Sequence, residues 1–200
     1  MDKILKQKLE DACWVAQSLF KRNKATGSSA NMSIRHNNQI YITSSGTCFG
    51  RLKPTDFTQL DMDGTIIEGR KPSKEFPLHQ AFYQKDKEIG AVLHTHSFYG
   101  TLWSCIQHDN VQDIVPRYTP YLTMKVGTIG LVPYAEPGSE ELFAAFRACI
   151  SCSDAFLLAN HGPIVPGKDI LAAFYGLEEL EESVRIAWEL RNHSDAGVIK

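Results

Sequence analysis

Two histidines separated by one residue follow an apolar run at residues 90–93, and a third follows a second apolar run at residues 155–160. Because strand side chains alternate between faces, His94 and His96 would project together from the end of the first strand. Taken alone, such a pair is equally consistent with two imidazoles facing water. His161 after the second run changes that balance, because three neutral imidazoles with a carboxylate or water complete a tetrahedral Zn²⁺ site with one position open to substrate. A catalytic metal is the favoured interpretation.

Hydrophobic periodicity predicts the elements that must position these histidines. Residues 3–22, 140–149 and 169–190 have the spacing of amphipathic helices. Pro77, in the first turn of another helix, places Glu75 near a helix N-terminus, where its simplest role is to compensate the helix dipole. Ser97 is a plausible N-cap for a helix that extends to about Cys105.

Alternating residues predict the strands. Residues 31–35 and 39–43 form a hairpin, and a second hairpin turns at the Asp-Gly signal of residues 61–64. Residues 116–133 are predicted to form short strands broken by Gly127 and Gly130. Helices and short strands alternate around hairpins, so the fold class is α/β, with a three-layer α/β/α domain and a largely antiparallel central sheet.

Composition excludes several classes of protein. The chain has 200 residues with 43% hydrophobic content, which predicts a single domain over residues 1–200. A net charge of -2 without a basic run does not suit nucleic acid as a partner. Neither a signal peptide nor a membrane span is recognisable, which predicts a cytoplasmic protein without a membrane partner. Five scattered cysteines indicate reduced thiols, with Cys149 and Cys152 at a helix end.

Five short motifs together carry a resemblance to a known family. They are Ala30-Asn31, Ile42-Thr43-Ser44-Ser45-Gly46, Ser73-Lys74-Glu75, His94-Thr95-His96 and Asn160-His161-Gly162. In this order and combination, the chain from about residue 13 to 191 resembles the class II aldolase and epimerase family, typified by fuculose-phosphate aldolase and ribulose-phosphate epimerase. The resemblance implies one zinc ion per chain, with His94, His96 and His161 as ligands. It also implies that Glu75 binds the resting metal and acts as general acid and base.

The hydroxyl-rich loops match the family's substrate-phosphate pocket. Serine hydroxyls and backbone N–H groups left accessible by glycine hold phosphate well without a basic patch. The residues that fit are Ser28, Ser29, Asn31, Ser44, Ser45, Gly46 and Ser73. For each one alone, ordinary loop solvation is the alternative. Ala30 replaces the glycine usual in the family, which puts close backbone approach at that point in doubt.

Lys74 is the other departure, because family aldolases often carry a second serine there. A cation beside the catalytic acid suggests an extra anionic group on the substrate, although a solvated lysine is an equal alternative. Together with residues 45–52, 72–79 and 119–127, it makes the chain most similar to the 3-oxo-tetronate 4-phosphate decarboxylase branch. That similarity implies loss of CO₂ from a phosphorylated four-carbon sugar acid through a zinc-stabilised enediolate, with dihydroxyacetone phosphate as product.

Tyr121 resembles a tyrosine that family aldolases donate to a neighbouring subunit's site. The resemblance thus implies active sites between subunits and a homotetramer, whereas a structural tyrosine is the alternative. Two rival functions stay open at this point. One is a sugar-phosphate aldolase, epimerase or dehydratase using the same site, and the other is a metal-free binding or scaffold protein, against which the intact histidines argue.

Overall fold

The structure is a computed structural model that describes residues 2–199. Within that range it contains eight strands and six α-helices, with short 3-10 helices over Phe49–Arg51 and Pro54–Asp56. The strands are β1 (Asn31–His36), β2 (Gln39–Thr43), β3 (Phe57–Leu60), β4 (Ile66–Glu68), β5 (Ala91–His94), β6 (Ile129–Val132), β7 (Ala155–Leu158) and β8 (Gly162–Gly167). The helices are α1 (Lys3–Lys21), α2 (Phe76–Lys85), α3 (Phe98–Ser104), α4 (Tyr121–Lys125), α5 (Glu140–Cys149) and α6 (Ile170–Leu190).

All eight strands form one sheet in the order β4-β3-β2-β1-β5-β8-β7-β6. Among the described strands, β6 and β7 pair in parallel and every other neighbouring pair is antiparallel. The predicted hairpin of β1 and β2 is confirmed, and its turn residues Asn37 and Asn38 adopt φ of 48° and 59°. Asparagine tolerates that left-handed conformation, which suits the twist of a tight hairpin.

Helices cover both faces of the sheet, and each face has its own apolar core. Alternate residues of β5 separate the two cores: Ala91 and Leu93 pack with α1, α3, α4 and α6, whereas Val92 packs with α2 and α5. This separation follows from the two-residue period of a strand. The predicted three-layer α/β/α class with a largely antiparallel sheet is therefore confirmed.

Residues 116–133 do not form the predicted series of short strands. The segment contains the helix α4 and the single strand β6, with Gly130 inside the strand and Gly127 before it. A Cβ at Gly130 would lie 2.6 Å from Ser153 Oγ, so this glycine permits close packing within the strand. Strand β8 was not predicted, because its two prolines, Pro163 and Pro166, are typical of strand ends and edges.

Ser97 occupies the N-cap position of α3, as predicted, but its side chain does not cap that helix. Its hydroxyl donates instead to Glu181 Oε1 at 2.7 Å, and the backbone N–H of Gly100 donates to the same oxygen at 2.6 Å. A buried carboxylate from α6 thus satisfies the first turn of α3, immediately after His96. Within residues 2–199, no helix has both the length and the apolarity that crossing a membrane requires.

Candidate active site

The proposed site residues meet at one end of the central strands of the sheet. Because β1, β2, β5 and β8 are antiparallel neighbours, the start of β1 lies beside the ends of β2 and β5 and the start of β8. Asn31 pairs with His94 in the register of β1 and β5. His161 lies in the turn between β7 and β8, three residues beyond Leu158, where β7 ends. Antiparallel pairing therefore assembles side chains that lie far apart in the sequence.

The turn around His161 has a demanding backbone. Asn160 adopts φ of 56° and Gly162 φ of 146°. A Cβ at Gly162 would lie 2.5 Å from the carbonyl oxygen of Thr95. Only glycine fits a backbone that is both left-handed and this close to its neighbour. The Asn-His-Gly sequence thus places the His161 ring against the segment that carries His94 and His96.

His94, His96 and His161 form a compact cluster that could hold a metal ion, with one potential ligand atom each and all three within 4.8 Å of one another. The ring centroids lie 4.7–5.1 Å apart. The Glu75 carboxylate faces two of these rings, since its Oε2 and Oε1 lie 3.4 Å from His94 Nε2 and His161 Nε2. The structure thereby joins three imidazoles and one carboxylate.

The protonation states of the histidines suit a metal. Burial lowers the pKa of His94 and His96, and it lowers the pKa of His161 to about 4. The rings are consequently neutral at pH 7, as metal ligation requires. His94 Nδ1 donates to the carbonyl of Pro163 at 2.8 Å, which leaves its Nε2 lone pair facing the cluster.

The ring of His96 gives an independent indication that the histidine cluster suits a metal ion. Its Nε2 is buried and has no hydrogen-bond partner among the described residues. A buried polar atom without a partner costs free energy, and coordination of a cation would satisfy it. The donor set therefore fits a divalent ion with nitrogen ligands.

Glu75 immediately precedes α2 but does not cap it, and the residue is only 4% exposed. Burial acts to raise the pKa of its carboxyl, but the neighbouring His94 and His161 and the hydrogen bond from Asn31 outweigh burial, so the pKa lies below its ordinary value. The carboxylate is thus directed into the site. Compensation of the helix dipole does not explain that orientation.

A cavity of about 190 Å³ opens beside the histidine cluster. Every residue proposed for phosphate binding lines it, together with Glu75, His96 and His161; these residues are Ser28, Ser29, Asn31, Ser44, Ser45, Gly46, Ser73 and Lys74. Thr43 and Thr47 also line the cavity, and they extend the hydroxyl runs that the sequence already displayed. Ala30 and Pro137 line it as well, and the sequence offered no signal for Pro137. The roles of these residues in binding remain predictions.

Lys74 lines the cavity, and a hydrogen bond holds its ammonium group in place. Lys74 Nζ donates to the carbonyl of Pro137 at 2.7 Å. The Lys74 stem packs so closely on Gly138 that a Cβ there would lie 2.6 Å from Lys74 Cδ. Because an ammonium has three donors, two remain for a ligand.

Asn31 lines the cavity, yet its amide nitrogen already donates to Glu75 Oε2 at 2.8 Å and its oxygen lies 2.6 Å from His79 Nε2. His79 was not singled out from the sequence, although its position four residues after Glu75 on α2 was a usable signal.

Tyr121 does not line the cavity of its own chain and is 57% exposed on α4.

Comparison with known proteins gives consistent matches. Residues 10–188 match the family described as Class II Aldolase and Adducin N-terminal domain. The 3-oxo-tetronate 4-phosphate decarboxylase of Pectobacterium atrosepticum is 40% identical over 174 residues, covering 86% of this chain and 80% of that protein. The L-fuculose phosphate aldolase of Methanococcus maripaludis is 38% identical over 178 residues, covering 89% and 94%. The crystal structure of YgbL from Escherichia coli superposes with a TM-score of 0.92 at 33% identity, covering 99% of this chain and 96% of that one.

Proposed function

The chain belongs to the Class II Aldolase and Adducin N-terminal domain family, and from this premise we propose that it is a metal-dependent 3-oxo-tetronate 4-phosphate decarboxylase, a carboxy-lyase. The observation that carries the proposal is a single cavity lined by His96 and His161 of the histidine cluster, by Glu75, by the hydroxyl-rich loops and by Lys74. A relative 40% identical over most of the chain bears this activity in its name.

The substrate carries a phosphate and a carboxylate on four carbons. The hydroxyls of Ser28, Ser44 and Ser45 and the backbone at Gly46 bind the phosphate, because neutral donors hold a dianion well in a partly closed cavity. Lys74 orients the carboxylate with the two donors that Pro137 does not occupy. Anion recognition at two places separates this substrate from one that carries phosphate alone.

Decarboxylation breaks the C1–C2 bond, releases CO₂ and leaves the electron pair on C2 and the C3 carbonyl as an enediolate. The metal that His94, His96 and His161 hold, which we take to be Zn²⁺, supplies Lewis-acid stabilisation of negative charge on substrate oxygens when it is bound. C2 then receives a proton, which yields dihydroxyacetone phosphate; Glu75, ionised at rest, first takes up this proton from solvent and then delivers it, so the overall reaction consumes one proton. Asn31 keeps the Glu75 carboxylate turned toward this position.

The proposal extends to assembly and location. We infer a homotetramer in which Tyr121 of one chain serves the site of a neighbour, because in its own chain this tyrosine is exposed and lies off the cavity. We also propose that the chain forms one catalytic domain and acts in the cytoplasm.

Zinc analysis followed by a CO₂-release assay on 3-oxo-tetronate 4-phosphates tests the function. We expect one zinc per chain, CO₂ and dihydroxyacetone phosphate in equal amounts, and loss of both activity and metal in His94→Ala and His161→Ala. Full activity after removal of the metal, or unchanged metal content in both variants, contradicts the proposal.

A class II sugar-phosphate aldolase is the second candidate, favoured by the fuculose phosphate aldolase that is 38% identical. An aldolase forms the same enediolate but releases an aldehyde instead of CO₂. Product analysis with fuculose 1-phosphate and 3-oxo-tetronate 4-phosphate in parallel distinguishes the two reactions.

A further inference from the structure

A chain of hydrogen bonds runs from Glu75 into the interior of the protein. Asn31 Nδ2 donates to Glu75 Oε2 at 2.8 Å, and Asn31 Oδ1 lies 2.6 Å from His79 Nε2. His79 Nδ1 lies 2.8 Å from Ser33 Oγ, which lies 2.7 Å from the hydroxyl of Tyr83. All five residues are buried.

Two regular elements supply this chain. Glu75, His79 and Tyr83 are spaced by four residues at the start of and along α2, so they lie on one helix face. Asn31 and Ser33 are two residues apart on β1 and share one face of the sheet. The helix and the strand thus contribute side chains alternately, and the arrangement needs both elements in one register.

The direction of every hydrogen bond follows from the carboxylate at the end. An ionised carboxylate only accepts, so the amide nitrogen of Asn31 faces Glu75 and the amide oxygen faces His79. His79 Nε2 must therefore carry the hydrogen. The neutral ring then accepts at Nδ1 from Ser33, whose oxygen in turn accepts from Tyr83.

His79 itself does not exchange protons at neutral pH. The residue is completely buried, and burial lowers its pKa to about 3, so the ring stays neutral. The mechanism proposed above does not use this histidine. A neutral ring with one fixed donor can orient a neighbour without competing for the proton that Glu75 carries.

We propose that His79 is a positioning residue that acts through Asn31 to hold Glu75 Oε2, so that Oε1 remains directed toward His161 and the reacting carbon. This inference rests on the proposed role of Glu75 as proton carrier. Its alternative is a purely structural hydrogen bond in the core, which would stabilise the fold but leave turnover unchanged.

The test compares His79→Leu and His79→Gln in the full-length, zinc-loaded enzyme. Leucine removes the donor to Asn31 Oδ1, so Asn31 would hold the charged Glu75 carboxylate less firmly. We expect kcat to fall about 10- to 100-fold, with KM and zinc content unchanged. Glutamine supplies an N–H at similar reach, and it should return kcat to within about fivefold of the parent.

His36→Leu is the matched control, because His36 is another buried imidazole on β1 whose hydrogen bond, to Asp2 Oδ2 at 2.7 Å, lies away from the cavity. We expect it to lower stability without lowering kcat. Nitrogen-15 NMR of labelled histidines supplies a readout independent of activity, and His79, assigned by its absence in His79→Gln, should be neutral and protonated at Nε2 at pH 7.

Three results would overturn the inference. They are a folded His79→Leu with parental kcat, a His79→Gln no more active than His79→Leu, and a His79 ring protonated at Nδ1. If the parent enzyme releases no CO₂ from any 3-oxo-tetronate 4-phosphate, the proposed function fails instead, and the NMR measurement still tests the hydrogen-bond chain.

Discussion

Glu75 lies between the imidazole cluster and the amide of Asn31, so its carboxylate is both buried and fully oriented. This placement goes beyond the dipole compensation that is the simplest role of a glutamate near a helix N-terminus. A group held in this way can move a proton to a fixed point on the substrate, whereas a solvated carboxylate at a helix end would sample many orientations.

We expect Glu75→Gln to lower turnover about 10²- to 10⁴-fold, because the amide has a similar shape but cannot carry the proton. The change in unfolding free energy should stay below about 1.5 kcal/mol, since the amide can still accept from Asn31. Turnover and urea unfolding measure the two effects, and Glu68→Gln on the exposed strand β4 is the control. Turnover close to the parent would remove Glu75 from the mechanism.

Lys74 is the residue that most separates a decarboxylase site from an aldolase site. We expect Lys74→Ser to weaken decarboxylation at unchanged metal content, because the substrate carboxylate loses its cationic partner. Affinity for dihydroxyacetone phosphate, which has no carboxylate, should remain as in the parent. Both quantities are measured by steady-state kinetics with the product as inhibitor.

Lys71→Ser is the matched control for Lys74, since Lys71 is exposed, does not line the cavity and carries the same charge. Equal losses of affinity for substrate and for dihydroxyacetone phosphate in Lys74→Ser would show that Lys74 does not recognise the carboxylate.

At the scale of elements, the turn between β7 and β8 determines where His161 lies. The turn has to bring the chain back antiparallel while passing within contact of Thr95, and Gly162 makes that approach possible. The neighbouring strands β5 and β8 then keep His94 and His161 in fixed register. The geometry of the cluster is therefore a property of the strand ends more than of the individual histidines.

We expect Gly162→Ala to lower both the unfolding free energy and the zinc content, because the added Cβ would meet the Thr95 carbonyl at 2.5 Å and displace His161. The loss in stability should exceed about 2 kcal/mol, the sum of left-handed strain and the steric contact. Thermal unfolding and metal analysis measure the two effects.

Gly27→Ala is the control for Gly162→Ala, because Gly27 also has positive φ, 53°, but a Cβ there would meet no atom within 4 Å. It should cost about 1 kcal/mol and leave zinc content unchanged. Similar behaviour of the two variants would mean that the close approach to Thr95 does not position His161.

At the scale of the whole molecule, the exposed apolar side chains of α4 lie away from the cavity of their own chain. Tyr121 is 57% exposed and Met124 74% exposed, although the hydrophobic effect favours their burial. Burial against a second copy of this chain would satisfy these side chains and would bring Tyr121 to a neighbouring site, as the proposed tetramer requires.

We expect coexpression of Tyr121→Phe and Glu75→Gln to restore activity that neither variant has alone. Mixed oligomers contain sites in which a parental Glu75 meets a parental Tyr121 from the neighbouring chain, whereas a site built within one chain would always lack one of the two. The CO₂-release assay on the purified mixture measures the gain. Coexpression of His94→Ala with Glu75→Gln is the control, because both residues belong to the site of a single chain and no mixed site regains both. A Tyr121→Phe and Glu75→Gln mixture no more active than its components contradicts the shared site.

The sequence by itself determined the features that depend on local periodicity. Helices α1, α5 and α6, the hairpin of β1 and β2 and the layered class were confirmed, because hydrophobic spacing and turn residues act over a few neighbouring positions. The motifs also identified the family, since His94-Thr95-His96 and Asn160-His161-Gly162 are short contiguous signatures. Residues 116–133 were predicted wrongly, because two glycines resemble strand breaks when their packing partners are unknown.

Only the tertiary structure decided which of these residues meet. Strand β1 contributes Asn31, and helix α2 and the residue before it contribute His79 and Glu75. Both contact Asn31 from more than forty positions away in the sequence, and no local pattern encodes these contacts. Pro137 reaches the cavity from a loop that the sequence left without any signal. The physical reason is that periodicity specifies which face of an element is buried, whereas sheet order and register specify what that face is buried against.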